Sequence, residues 1–371
     1  MPARGAAVRR WALRIHRWAG LAIGAVLIAS AASGLLLLTG EWLERDLQPE
    51  IFQSAAGAPA PVDRILESIR DAHPDSRIVR LRLPRDPRDV YEAWLDSDAG
   101  ARVYVDQTTG AIRGSHPPAG TIKGFVFTLH SQLFAQRAGK ALLGAGAIGL
   151  FVLIASGLIV WWPGWRKIRL GFRIRRGRAW LADTHRLSGA LIAPVLAVIA
   201  FTGLSLVAPV TIERILVSVS LTSARPTPPA WRGTAADRAR LAFSIADLIG
   251  RANVALPGGA VSWLYFPPPS GGWFSVRKRL EGETHPNGKS FIYVDPSTGV
   301  VGAAFDARRN ESGARLFDAL YPAHIGRILG RAPHVAAGLT LGFLVISGWM
   351  IWWRRRPRGI RTASSSLPGA L

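Results

Sequence analysis

Four histidines recur in this chain at matched positions. His16 opens the stretch H-R-W-A-G and is followed 18 residues later by Gly34; His185 opens H-R-L-S-G and is followed 18 residues later by Gly203. Eighteen residues make five helical turns, so each histidine shares a helix face with its distal glycine, about 27 Å away. His130 and His324 each stand ten residues ahead of positions 140 and 334, where two further apolar runs begin. A neutral imidazole is a strong metal ligand, and ionisable groups at membrane depth are costly and usually functional. One such histidine is explained by interfacial snorkelling or helix capping. Identical placement twice on each side favours a site.

The chemistry those residue types suit is axial ligation of haem. Zinc asks for three or four close ligands, commonly Cys or carboxylate. The chain contains no Cys, and the apolar runs contain no Asp or Glu. Two imidazoles on opposed helices instead match the two axial positions of one haem iron. The pattern pairs His16 with His185 and His130 with His324, one haem in each leaflet, with no axial position free for O₂ or substrate. Gly20 and Gly189 lie one turn after their histidines and make room for a porphyrin; Gly34 and Gly203 make room beside the cofactor of the opposite leaflet. Close helix packing is a compatible reading of these glycines. His334 is the reserve for His324, since it lies nearer the bilayer with Gly338 four residues on; it aligns with Lys140, which favours His324. His73, His116 and His285 sit in polar stretches beside prolines and read as solvated loop residues.

The elements that must position these residues are apolar runs at about 18–39, 141–162, 187–209 and 335–353, each near the roughly 20 residues a bilayer crossing needs. The first resembles a signal peptide with an Ala29-Ser30-Ala31 cleavage site, but its apolar stretch continues through Leu35–Leu38, too long for one. The net charge of +22 is concentrated in the N-terminus, in 166–178 and in 354–361. The positive-inside rule places those segments in the cytoplasm and makes nucleic acid an unneeded partner. Absence of Cys excludes disulfides, thiolate zinc sites, Cys-ligated iron–sulfur clusters and covalent C-x-x-C-H haem. The letters G-x-G-x-x-G at Gly144–Gly149 fall inside a span with no preceding strand, so no nucleotide site is expected there.

Between the spans lie two exported segments with the same plan. The first has a helical stretch at Asp63–His73, strand-like alternation at Arg77–Leu83, Val90–Leu95 and Ala101–Asp106, and a turn at V-Y-V-D-Q-T-T-G with Gly110 at positive φ. The second has helical Asp237–Ala252, strands at Val261–Phe266, Trp273–Arg279 and Ser290–Asp295, and I-Y-V-D-P-S-T-G 189 residues on. S-G-L-I-V-W-W (156–162) likewise returns as S-G-W-M-I-W-W (347–353). The fold expected is a membrane α-helical four-helix bundle from two parallel repeats, each with an inserted α+β domain. Its divisions are a cytoplasmic N-terminus (1–17), spans at 18–39, 140–162, 186–209 and 334–353, exported domains at 40–139 and 210–333, a basic loop (163–185) and a tail (354–371).

The H-R-x-x-G spans, the Y-V-D-x-x-T-G modules and the closing S-G-x-x-x-W-W resemble the PepSY-associated transmembrane proteins over about 10–356. The resemblance implies a bacterial inner-membrane protein with PepSY-like periplasmic domains, and two non-covalent b-type haems passing electrons to a ferric siderophore in iron uptake. The chain has no credible nucleotide site, so the donor is expected to be a cytoplasmic flavin reductase or quinol. Trp263, Tyr265, Trp273 and Phe274, with Arg277, Lys278 and Arg279, are candidates for a docking surface, against the plainer reading of core strands with a basic edge. Two other functions compete: a non-redox membrane protein that binds or regulates exported peptidases, and a permease for iron chelates.

Overall fold

A computed structural model describes residues 2–40, 42–97, 100–223, 225–233 and 242–355. The helices are α1 (Pro2–Leu38), α2 (Trp42–Leu47), α3 (Pro49–Phe52), α4 (Val62–Ala72), α5 (Ile122–Gln132), α6 (Gln136–Trp161), α7 (Ile168–Gly171), α8 (Trp180–Val207), α9 (Pro209–Val219), α10 (Ile245–Ala255), α11 (Ser312–His324) and α12 (Arg331–Arg354). The strands are β1 (Ile78–Arg82), β2 (Val90–Leu95), β3 (Arg102–Asp106), β4 (Ile112–His116), β5 (Ala260–Tyr265), β6 (Phe274–Arg279), β7 (Ser290–Val294) and β8 (Val301–Phe305).

Helices α1, α6, α8 and α12 are long and apolar enough to cross a membrane. Neighbours around the bundle are α1–α6, α6–α8, α8–α12 and α12–α1, which leaves α1 diagonal to α8 and α6 diagonal to α12. Leu27, Leu150, Leu196, Leu341 and Val345, one or two from each helix, fill the interior between the ends. The glycines of the G-x-G-x-x-G letters lie in α6: Gly144 packs near Val207, Gly146 near Val26 and Gly149 against Ile23. They serve helix contact.

The two inter-span segments do not build two separate sheets, as the sequence reading expects. Their strands join in one antiparallel eight-stranded sheet of order β4-β3-β2-β1-β5-β6-β7-β8, closed across the middle by pairing of Arg80, Leu81 and Arg82 with Tyr265, Leu264 and Trp263. Isolated four-stranded sheets would each leave an open edge at β1 and β5, and pairing removes both. One face is covered by α4 and α10, whose Ile65, Leu66, Ile69, Ile245, Leu248 and Ala252 form a single core with the inward strand residues. Ser244 caps α10 by accepting from the Asp247 amide; the helix starts there, and the 237–241 part of the expected helix lies outside the described residues. The two matched turns close alike. Asp106 accepts the amides of Thr108 and Thr109, and Asp295 those of Ser297 and Thr298. Gly110 and Gly299 then take φ of +76° and +70°, a region L side chains avoid.

Several boundaries shift. Residues 2–17 are the first turns of α1, and the basic loop ends at α8, so His185 lies inside a helix. His130 and His324 belong to separate short helices, α5 and α11, which join α6 and α12 through sharp corners. The first corner puts Leu133, Phe134 and Gln136 at φ of 47°, 56° and 47°; the second uses Gly326 and Gly330 at 73° and 85°.

Candidate functional site

The four expected histidines come together in two pairs. His16 of α1 and His185 of α8 meet across the bundle diagonal at the end away from the sheet, with ring centroids 6.2 Å apart and ring planes at 89°. His130 of α5 and His324 of α11 meet at the sheet end, 6.1 Å apart with planes at 41°.

Each imidazole is held by a Ser or Thr followed by Gly on a neighbouring helix. His16 Nδ1 lies 3.0 Å from the Leu153 carbonyl and 3.1 Å from Ser156 Oγ; His185 Nδ1 is 2.8 Å from Ser347 Oγ. His130 Nδ1 is 3.0 Å from Ser33 Oγ, and His324 Nδ1 is 3.0 Å from Thr202 Oγ1. Every one of these hydroxyls already donates its proton to a carbonyl one turn back: Ser156 to Val152, Ser347 to Phe343, Ser33 to Ala29 and Thr202 to Val198. A hydroxyl has one proton to give, so toward the imidazole it accepts, and Nδ1 carries the hydrogen. Among the described residues no partner occupies Nε2 of these four rings. Each ring thus presents one neutral nitrogen lone pair with its orientation fixed from behind, the arrangement metal-binding histidines adopt.

The glycine after each hydroxyl makes room for the ring. A Cβ added at Gly157 would sit 3.1 Å from His16 Cε1, at Gly348 3.4 Å from His185 Cε1, at Gly34 3.2 Å from His130 Cε1, and at Gly203 3.2 Å from His324 Cε1. Gly34 and Gly203 therefore adjoin the imidazoles of the His130–His324 pair, at the opposite end of the bundle from His16 and His185, the end at which the sequence reading places them. The sequence reading missed Gly157, Gly348 and the four hydroxyls, although a Ser-Gly or Thr-Gly pair stands at all four places. The 18-residue spacing also acquires a cause. Helices α1 and α8 each carry a histidine of one pair and the hydroxyl–glycine cradle of the other.

Between His16 and His185 opens a cavity of about 560 Å³, within the range of small-molecule sites, lined by Gly20, Gly189, Leu153, Leu344 and Trp349 among others. Arg17, Arg175, Arg186 and Arg355 also line it, and Arg186 Nε is buried with no partner. Asp183 is buried in α8 and holds Arg175 and Arg186 by 2.8 and 3.2 Å ion pairs. No cluster of three or more His, Cys, Asp or Glu suited to a bare metal ion occurs among the described residues.

His334 is unsuited to the reserve role. Its Nδ1 lies 3.0 Å from the Gly330 carbonyl and its Nε2 2.8 Å from the Ala323 carbonyl, so each nitrogen faces a backbone oxygen. It ties the end of α11 to the start of α12. His285 is likewise no solvated loop residue: it is buried, stacked on Tyr321 of α11 with centroids 5.1 Å apart, and 3.2 Å from the Arg277 guanidinium. The expected docking surface divides. Trp263, Tyr265 and Arg277 lie on the sheet face away from α4 and α10, whereas Phe274 and Lys278 are buried on the covered face, Lys278 bonding Asn253 and the Leu256 carbonyl. Trp273 bonds the Pro229 carbonyl.

No curated protein matches the chain. The family model of the PepSY-associated TM region matches residues 13–355, nearly its whole length, and the chain belongs to that family.

Proposed function

We propose that this protein is a di-haem electron carrier of the bacterial inner membrane, built as a parallel duplication, that passes electrons from a cytoplasmic flavin reductase or quinol to a ferric siderophore in the periplasm. The observation that carries the reading is the spacing of the two histidine pairs. With metal–imidazole bonds of about 2.0 Å and about 1.1 Å from ring nitrogen to ring centre, two axial imidazoles on one iron place their centroids about 6.3 Å apart; the pairs stand at 6.2 and 6.1 Å. Donor chemistry agrees: two neutral imidazoles per site, no third ligand among the described residues, and a cavity at one pair large enough for a flat macrocycle.

In this reading His16 and His185 hold the cytoplasmic haem, and His130 and His324 the periplasmic one. A haem held by two imidazoles would supply one-electron transfer and leave no position for O₂ or substrate. The hydroxyls of Ser156, Ser347, Ser33 and Thr202 keep the hydrogen on Nδ1 and the lone pair on Nε2. The leucine layer between the pairs excludes water from the middle of the bundle, and Arg186, with its unpartnered Nε, offers charge compensation to acidic haem substituents at the cytoplasmic mouth.

Purified protein from haem-replete cells is expected to show a b-type Soret band and two haems per chain. A colourless preparation ends the proposal. In the ferric state, electron paramagnetic resonance should resolve two low-spin centres, because near-perpendicular imidazoles at His16–His185 (89°) and inclined ones at His130–His324 (41°) split the iron d-orbitals differently.

A further inference from the structure

The sheet face opposite α4 and α10 carries two cross-strand rows. Register aligns Arg102, Trp94, Arg80, Tyr265, Ser275 and Tyr293 in one, and Tyr104, Glu92, Arg82, Trp263, Arg277 and Phe291 in the next. Neighbours within a row stand on adjacent strands about 4.8 Å apart, so aromatic and guanidinium groups form a nearly continuous surface. The rings touch in sequence: Trp94 with Trp263 at 6.1 Å, Trp263 with Tyr265 at 6.3 Å and Tyr265 with Phe291 at 6.1 Å. This face looks toward the bundle: Ile51 and Phe52 of α3 pack on its Val90 and Tyr104, and at the other side Arg277 meets His285, which stacks on Tyr321, one turn before His324.

At the centre the cations outnumber the acids: Arg80, Arg82, Arg102 and Arg277 face Asp89 and Glu92. Arg82 is matched by Asp89 and Glu92. Arg80 lies flat over Trp94, 3.2 Å from the ring centroid, and 5.4 Å from that of Trp263, yet among the described residues it makes no hydrogen bond or ion pair. Arg102 stacks on Trp94 at 4.2 Å and shares Glu92 with Arg82 through a 3.7 Å ion pair, while its Nε is buried without a partner. Stacking on an indole orients a guanidinium but leaves its in-plane donors unused. Burial, with Arg102 and Arg277 nearby, pushes the Arg80 pKa below its ordinary value, a cost that an incoming anion relieves.

We infer that the Arg80–Trp94–Trp263 centre of this sheet face is the docking site for a negatively charged ferric chelate. The inference rests on the electron-transfer reading and narrows its substrate class. The Arg80 guanidinium and the free Nε of Arg102 select anions, the aromatic rows offer flat apolar contact to the chelator's organic rim, and the ring contacts, continued through Arg277 and His285, lead from the site to the helix bearing His324. Uncharged ferric hydroxamates lack the complement to Arg80 and Arg102 and are weak ligands here.

The test uses redox-inert gallium(III), so binding is read apart from electron transfer. Full-length protein in uncharged detergent is titrated, by tryptophan fluorescence and equilibrium dialysis, with gallium tris(2,3-dihydroxybenzoate), an anion, and with gallium tris(acetohydroxamate), which is neutral. The anion should bind at least about tenfold tighter, weaken with added salt, and lose about tenfold or more with Arg80→Gln, the loss of one charge-assisted contact. Arg70→Gln, exposed on α4 on the opposite side of the sheet, should bind as wild type. Equal affinity for the two complexes in the wild-type protein, or an unaltered Arg80→Gln, overturns the inference. Haem content of the same preparation is measured separately: haem-loaded protein that ignores the anion sinks the docking site alone, and haem-free protein that binds it sinks the electron-transfer reading.

Discussion

The two histidine pairs do the same local chemistry on different mechanical supports. His16 and His185 are residues of the crossing helices α1 and α8, so bundle packing fixes where they stand. His130 and His324 end short helices that lie against α1 and α8, and reach α6 and α12 through corners with left-handed backbone. Three non-glycine residues at positive φ in the first corner cost about 1–2 kcal/mol each. That expense persists only where the surroundings hold it, here through the seat of His130 against Ser33 and Gly34. A histidine on a span is placed by the fold, whereas a histidine on an arm is placed by its docking.

On the proposed function, the largest effects should come from the four histidines themselves. His185→Ala and His324→Ala should each take the haem count from two to one, measured by pyridine haemochrome, and each should delete a different one of the two low-spin signals. Loss of both haems from either variant breaks the independence of the sites. Next in size is Gly139→Ala. Its Cβ would collide with the Gln132 carbonyl in the α5–α6 corner, so the sheet-side haem should be lost in part while the other is retained. Gly342→Ala, on the span α12 where nothing stands within 4 Å of the new carbon, should leave both in place. Equal loss in the two variants would remove the distinction between arm and span.

A smaller effect follows from the hydrogen-bonded hydroxyls. Ser347→Ala removes the acceptor behind His185, makes that imidazole a weaker donor and, by the scale of such outer contacts, weakens the loop-side haem about 10- to 100-fold. Thr202→Val should do the same at the sheet side. Potentiometric titration should show only the neighbouring centre moving in each variant.

The smallest effect is one of pH and belongs to the sheet side. Burial, followed by the charges of Arg277, Lys289, Arg327 and Arg85, lowers the His285 pKa to about 3. Unfolded chain takes up that proton near pH 6.5. The unfolded state therefore binds more protons between these values, and stability falls as pH drops from about 6.5 toward 3. Melting of the purified protein should show a lower Tm at pH 5 than at pH 7, with a smaller difference in His285→Gln.

Much of the site is legible in the amino-acid sequence. Matched spacing singles out His16, His185, His130 and His324, and in the structure these four meet in two pairs. The spans are legible because a bilayer demands long apolar runs, and strand positions such as Val90–Leu95 because alternation reports a sheet with two unlike faces. The role of Ser156, Thr202 and their counterparts is not, since a hydroxyl in an apolar helix has an ordinary local use, bonding the carbonyl one turn back. Its second use appears only when another helix brings an imidazole to it. His334 and His285 mislead for the same reason: a side chain's neighbours decide whether its nitrogens are spent.

By itself the sequence determined the four helices long and apolar enough to cross a membrane, the helix-and-strand content of the segments between them, and which four histidines stand at matched positions, all of which follow from composition and short-range period. Tertiary structure alone decided which nitrogen faces the site, which glycine admits which ring, and that eight strands form one sheet with Arg80 at its centre. Those outcomes depend on contacts between residues far apart in the chain, such as Arg80 with Tyr265 or His130 with Ser33, and no local pattern encodes such a contact.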